Sequence, residues 1–171
     1  MKRIKLLSFF LCMTALTSLS DCERDEPKTE LEKLPPITQE GKNTFGCLVN
    51  GKAWVTKTSI DAAAVYQQGI LQVDAMVQSK SFFQSQFFLI RYPKEGSFML
   101  NDTVNSRIFM IDSNTRCEYI TDDLNGSGTL SISKFDLQKK VVSGVFEFSV
   151  RQSTCEELIV TNGRFDLSLI Q

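Results

Sequence analysis

Val142-Ser143-Gly144-Val145-Phe146-Glu147-Phe148-Ser149-Val150 decides the fold class. Val142, Gly144, Phe146, Phe148 and Val150 fall on one side of an extended chain, and Ser143, Glu147 and Ser149 on the other. Period two belongs to a strand with one face in a core and the other in water. The alternation spreads outward in both directions. Upstream, Leu130 and Ile132 alternate with Thr129, Ser131 and Ser133, and Leu137 to Lys140 turns the chain back. Downstream, Leu158–Thr161 and Arg164–Leu169 flank Asn162-Gly163. Read as a hairpin, that pair sets Val160 against Phe165 and Leu158 against Leu167, which keeps one apolar face.

Further upstream the signals repeat. Phe45–Val49 and Lys52–Val55 flank Asn50-Gly51, the preferred pair for a two-residue type I′ turn because both central residues need positive φ. This hairpin puts Cys47 opposite Trp54. Residues 59–68 carry three successive alanines, a helical signal, but with Gln67-Gln68-Gly69 behind them they read better as a strand and turn. Leu71, Val73, Ala75 and Val77 face one way; Gln72, Asp74 and Gln78 face the other. Gln86–Tyr92 is apolar on both faces, and Gln84-Ser85-Gln86 reads as a loop between two strands. Pro93–Gly96 turns, Ser97–Leu100, Arg107–Ile111 and Arg116–Thr121 are short strands, and Asp122–Gly128 is a loop. The expectation is an all-β class: one antiparallel β-sandwich or up-and-down barrel-like domain over residues 44–171, with about ten short strands and little helix.

The N-terminus is of another kind. Lys2, Arg3 and Lys5 precede an apolar run, Leu6–Leu19. The run is shorter than the about 20 residues of a membrane span and fits the core of a signal peptide. Leu19-Ser20-Asp21-Cys22 resembles a lipobox, with Asp21 where a small residue is usual. Residues 1–21 therefore read as a lipoprotein signal peptide and Cys22 as the lipidated residue, with plain secretion as the alternative. Residues 22–43 read as an acidic, proline-containing, disordered tether, because charge crowds the segment and Leu31, Leu34 and Ile37 are its only large apolar residues. As a flexible chain it would span about 25 Å.

Three stretches together resemble a family of Bacteroidota lipoproteins known only as a domain of unknown function. They are Leu34-Pro35-Pro36-Ile37-Thr38-Gln39 leading into Asn43-Thr44-Phe45-Gly46-Cys47-Leu48-Val49-Asn50-Gly51-Lys52-Ala53-Trp54; Val142-Ser143-Gly144-Val145-Phe146-Glu147-Phe148; and Val160-Thr161-Asn162-Gly163-Arg164-Phe165-Asp166. The likeness runs from the tether to the C-terminus and departs at Asp21. It implies an exported all-β domain without an established activity, and it brings no catalytic residues. The acidic cluster directly after Cys22 likewise resembles the signal that sends many lipoproteins of these bacteria to the outer face of the outer membrane.

Composition narrows the chemistry. No histidine occurs among the 171 residues, which excludes Ser-His-Asp and Cys-His catalysis and every His-ligated metal site. Removing residues 1–21 takes away Lys2, Arg3, Lys5 and Asp21, leaving 16 of 19 basic and 19 of 20 acidic residues. That balance lacks the basic face a nucleic-acid binder needs. Thirteen Phe against nine Gly and four Pro suit a packed domain.

Of the five cysteines, Cys12 leaves with the signal peptide. Cys47 faces the core beside a tight hairpin, so Cys117 and Cys155 are the pair expected to bridge in an oxidising compartment; three buried thiols are the alternative. Asp122-Asp123-Leu124-Asn125-Gly126 resembles part of a calcium loop, but aligned on Gly126 it puts Thr121 and Ile132 where acids are required. Adjacent Glu156 and Glu157, or Asp122 and Asp123, would point to opposite faces of a strand and cannot converge as a hydrolytic pair. Phe82, Phe83, Phe87, Phe88 and Tyr92 read mainly as core, with a ligand platform as the second reading. Asp102-Thr103-Val104 matches a short O-glycosylation pattern of exported Bacteroidota proteins, with Thr103 as the acceptor.

These readings lead to a non-enzymatic lipoprotein anchored in the outer membrane and facing the exterior, with the periplasmic face as the alternative. Its β domain would bind a glycan or a protein. A lipocalin-like carrier of a small apolar ligand is the second reading, and a glycoside hydrolase or its accessory the third. No catalytic, cofactor-binding or metal-binding residue and no cofactor is assigned. The expected partners are the membrane, through lipid on Cys22, and a surface ligand, not nucleic acid.

Overall fold

The computed structural model describes residues 28–78, 82–101, 106–112, 115–121 and 125–171, with the backbone alone at 78 and 82–87. Its secondary structure is almost entirely strand: β1 (Thr44–Val49), β2 (Lys52–Val55), β3 (Ala62–Gln67), β4 (Ile70–Gln78), β5 (Phe82–Arg91), β6 (Gly96–Met99), β7 (Ser106–Asp112), β8 (Cys117–Ile120), β9 (Gly126–Asp136), β10 (Val141–Val150) and β11 (Leu158–Ile170). Among the described residues the one helical piece is a 3₁₀ turn, Leu31–Lys33. The strands form one curled sheet in the order β6-β9-β10-β11-β3-β4-β5-β7-β8, with the β1–β2 hairpin attached to β11. The architecture is all-β and barrel-like.

The sheet forks at β11. Along one edge β11 pairs antiparallel with β10 from Leu158 to Ser168. Along the other it pairs with β1 from Val160 to Asp166, and then with β3 at Leu169 and Ile170. The β3 pairing is parallel, where antiparallel strands alone were expected. It arises because β11 outruns β1, and β3 takes over the edge that β1 leaves.

Asn50-Gly51 turns as its sequence dictates. Both residues have positive φ, 47° and 77°, and the register sets Cys47 opposite Trp54. Residues 62–67 are a strand, and Gln68-Gly69, also at positive φ, makes the next tight turn. Asn162-Gly163, by contrast, does not turn the chain. β11 runs straight through it with a bulge: Asn162 and Gly163 lie opposite Cys47 on β1, and Thr161 and Asn162 opposite Glu147 on β10. Only Asn162 has positive φ, so the type I′ geometry is missing. The glycine serves another purpose: a Cβ at 163 would lie 2.3 Å from the Phe146 ring. Gln84-Ser85-Gln86 is not a loop either, because β5 is continuous from Phe82 to Arg91. It carries a bulge at position 87, between Asp74↔Gln86 and Val73↔Phe88.

Alternation fills the interior. Phe45, Phe88, Phe146 and Phe165, from four different strands, meet with ring centroids 4.8–6.5 Å apart. Phe88 thus packs from the β4–β5 half of the sheet onto the β10–β11 half. Leu71, Ile90, Leu100, Ile108, Met110, Leu130 and Leu167 are fully buried around them. Each such side chain contributes about 1.5–3 kcal/mol by leaving water.

Residues 28–43 correct the expectation of a disordered tether reaching to residue 43. They form a strap over the outer face of β1, β11 and β10. Glu30 Oε2 accepts the Ala53 N–H at 2.7 Å, so a carboxylate caps a backbone donor of edge strand β2. Leu34 is buried, Pro35 lies over Gly46, and Ser168 Oγ donates to the Gly41 carbonyl at 3.1 Å. Composition hid this because the strap is held by a few polar bonds and one leucine rather than by a run of apolar residues.

Candidate functional site

The strap is fastened by Asp166, a carboxylate only 1 % exposed. Thr38 Oγ1 donates to it at 2.6 Å and Ser143 Oγ at 2.7 Å. The Gly41, Glu40 and Lys42 amides donate at 2.8, 3.0 and 3.3 Å. Burial opposes its charge, but the bonds from Thr38, Ser143 and the Glu40 and Gly41 amides outweigh that and hold its pKa below the ordinary aspartate value. Arg164 Nη1 donates to the Pro35 carbonyl at 3.3 Å. The three stretches that carry the family resemblance therefore converge on one fastening. Thr38, Ser143 and Asp166 were visible in sequence only as polar residues in those stretches.

Beside the strap, on the outer face of the sheet, lies a trough. Thr129 and Ser131 from β9, Val145 and Glu147 from β10, Asn162 and Arg164 from β11 and Ile37 from the strap line a depression of about 330 Å³. Ser127, Glu147, Ser149, Ile159 and Thr161 line a second of about 230 Å³, and Glu147 is common to both. The β11 bulge lies in the floor of the first, since Asn162 and Gly163 are among the lining residues. It shifts the register of β11 against β10. Arg164 is aimed by bonds from Nε to the Asn162 carbonyl and from Nη1 to the strap. Ser131 Oγ lies 2.9 Å from Ser97 Oγ on β6. The trough thus presents hydroxyls, an amide, a guanidinium and a carboxylate over a small apolar floor. In the sequence its hydroxyls registered only as the wet side of a strand.

The residues singled out from sequence are scattered. Cys117 and Cys155 are joined by a disulfide across 38 positions. It ties strand β8 to the β10–β11 connection, where Tyr119 also donates to the Glu156 carbonyl at 3.0 Å. Cys47 is a buried free thiol, and burial pushes its pKa far above the ordinary range. Cys22, Thr103, Asp122 and Asp123 lie outside the described residues. Glu157 is engaged by Arg151 at 3.1 Å, while Glu156 is exposed. The aromatic run divides: Phe88 is core, and Tyr92 is 78 % exposed, its ring lying over Gly69. The side chains of Phe82, Phe83 and Phe87 are not among those described. No group of three or more potential metal ligands occurs among the described residues, and no helix among them is long and apolar enough to cross a membrane. Comparison with protein-family models, curated proteins and solved structures returns no match.

Proposed function

We propose that this protein is a lipoprotein anchored in the outer membrane through lipid on Cys22, displayed outward, and that its β domain binds a glycan in the trough between β9, β10 and β11. The lining of that trough carries the reading. Thr129, Ser131, Asn162, Glu147 and Arg164 offer donors and acceptors in the mixture that sugar hydroxyls require, and Val145 and Ile37 offer an apolar patch for a ring face. Glu147 is the one carboxylate among the lining residues of both depressions. Hydrolysis of a glycosidic bond uses two, so the lining favours holding a glycan over cleaving it. The interior supports this in preference to a carrier, because the space a cargo would occupy is taken by Phe45, Phe88, Leu71, Ile90, Met110 and their neighbours. The Cys117–Cys155 disulfide supports export.

Two experiments separate location from binding. Cys22→Ala in the full chain is expected to shift the protein from the membrane to the soluble fraction; retention in the membrane overturns the anchor. The full chain in detergent, applied to a glycan array, is expected to retain a restricted set of glycans and to lose them in Glu147→Gln. An array that stays blank, or retention that Glu147→Gln leaves intact, overturns the trough as the site.

A further inference from the structure

The opposite half of the sheet carries a further depression, of about 220 Å³, on the outer face of β4, β5, β7 and β8. Gln72, Leu89 and Arg107 lie side by side in one row across β4, β5 and β7. Phe109 and Ile120 form part of the next row, across β7 and β8. The bulge at position 87 falls between these rows and spreads them, so that Phe88, otherwise a core residue, forms part of the floor. Bulges recur beside functional sites because they re-aim side chains and open the pleat.

Among the described residues the lining is apolar at Leu89, Phe109 and Ile120 and holds one charged group, Arg107. Arg107 is exposed, and among the described residues its guanidinium makes no ion pair. The nearest row holds one acid, Asp74, which is not part of the lining and accepts a bond from Gln72 Nε2 at 2.9 Å. A guanidinium with no ion-pair partner among the described residues, at the rim of an apolar depression, matches a guest with the same two parts. A carboxylate meets the planar fork of the arginine, and a small apolar body fills the space beside it. The volume equals that of about seven waters in the liquid, smaller than the about 300 Å³ at which drug-sized sites begin. We propose that this depression binds a small, free carboxylic acid with a compact apolar body, its carboxylate on Arg107 and its body against Leu89, Phe109 and Ile120. The site is independent of the glycan reading, because it lies on other strands and shares no residue with the trough.

The test uses the full chain in detergent, labelled with ¹⁵N and titrated with phenylacetate and with its neutral counterpart phenylacetamide. Phenylacetate is expected to shift the backbone resonances of Leu89, Arg107, Phe109 and Ile120 in a saturable way. Phenylacetamide on the wild type, and phenylacetate on Arg107→Gln, are expected to bind at least tenfold more weakly. Equal binding of acid and amide, shifts confined to another part of the domain, or no saturable shift with phenylacetate each overturns the proposal. The acid–amide comparison needs no variant, so a folding defect in Arg107→Gln would leave the test decisive.

Discussion

Asp166→Asn tests how the strap is held. The groups that meet this carboxylate, Thr38 Oγ, Ser143 Oγ and the amides of residues 40, 41 and 42, are all donors. An asparagine of the same shape offers one acceptor oxygen instead of two and turns an NH₂ group toward donors. Bonds to a charged acceptor contribute about 1.5–3 kcal/mol each, and a buried donor left without a partner costs about 1–3 kcal/mol. Losing the bonds to one oxygen therefore removes about 3–5 kcal/mol, a large part of the about 5–15 kcal/mol that keeps a domain folded. At about 2–4 °C per kcal/mol for a domain of this size, Tm falls by about 10–15 °C.

Thermal unfolding followed by circular dichroism reads the loss, and hydrogen exchange locates it. The amides of Glu40 and Gly41 exchange much faster in the variant. A Tm within about 3 °C of wild type, with those amides still protected, would refute the fastening. The pH dependence has a definite sign. The folded-state pKa is depressed below the about 3.9 of an unfolded aspartate. The contribution is therefore complete above that value and is lost only as pH falls through the lower folded one. Protection of Glu40 and Gly41 should not differ between pH 7 and pH 5; a fall across that range would mean that another group holds the strap.

Three further outcomes follow from the packing. Replacing Cys117 and Cys155 with serine removes a cross-link over 38 positions, for which loop entropy gives a loss of up to about 4 kcal/mol; an unchanged urea midpoint would show that β8 is held without it. Gly163→Ala drives a methyl group into the Phe146 ring and should cost about 3 kcal/mol. Gly51→Ala meets open space and only the penalty of its positive φ, about 1 kcal/mol; the reverse order in urea titrations would contradict the register at the bulge. The Cys47 thiol, buried and held protonated, should resist a thiol reagent in the folded protein and react on unfolding; prompt labelling of the native state would place it elsewhere.

What the sequence carried, it carried through backbone rules. Period two from Val142 to Val150 fixed both a strand and its inward face, and Asn50-Gly51 fixed a turn and with it the Cys47–Trp54 register. The same dipeptide at 162–163 misled, because the turn rule is local, whereas the need for a missing Cβ at 163 comes from Phe146 on a neighbouring strand. Gln84-Ser85-Gln86 misled for a related reason: three polar residues resemble a loop only until β4 and β7 supply partners on both sides. The candidate sites were least legible. Arg107 and Leu89 are 18 positions apart, and Ile37 and Glu147 are 110 apart; only the register across strands makes neighbours of them.

The trough and the Arg107 depression each sit beside a bulge in the ladder, at Asn162-Gly163 and at position 87. A barrel with a filled interior has no room for a ligand inside, so a ligand of the kind proposed would lie on an outer face, where a regular pleat offers little concavity. The strap then decides how the trough is presented. Because the strap belongs to the domain, the span between Cys22 and the first residue fastened to it, Glu30, shrinks from 22 residues to eight, at most about 30 Å even when fully extended. Glu30 fixes the start of the strap at edge strand β2, whereas the trough opens on β9 and β10. If lipid on Cys22 anchors the protein as proposed, the β2 side would be the part tied closest to the membrane. Releasing Asp166 would restore the long tether and with it the freedom of the domain to turn. On that proposal the carboxylate that fastens the strap would also limit how the domain turns at the surface.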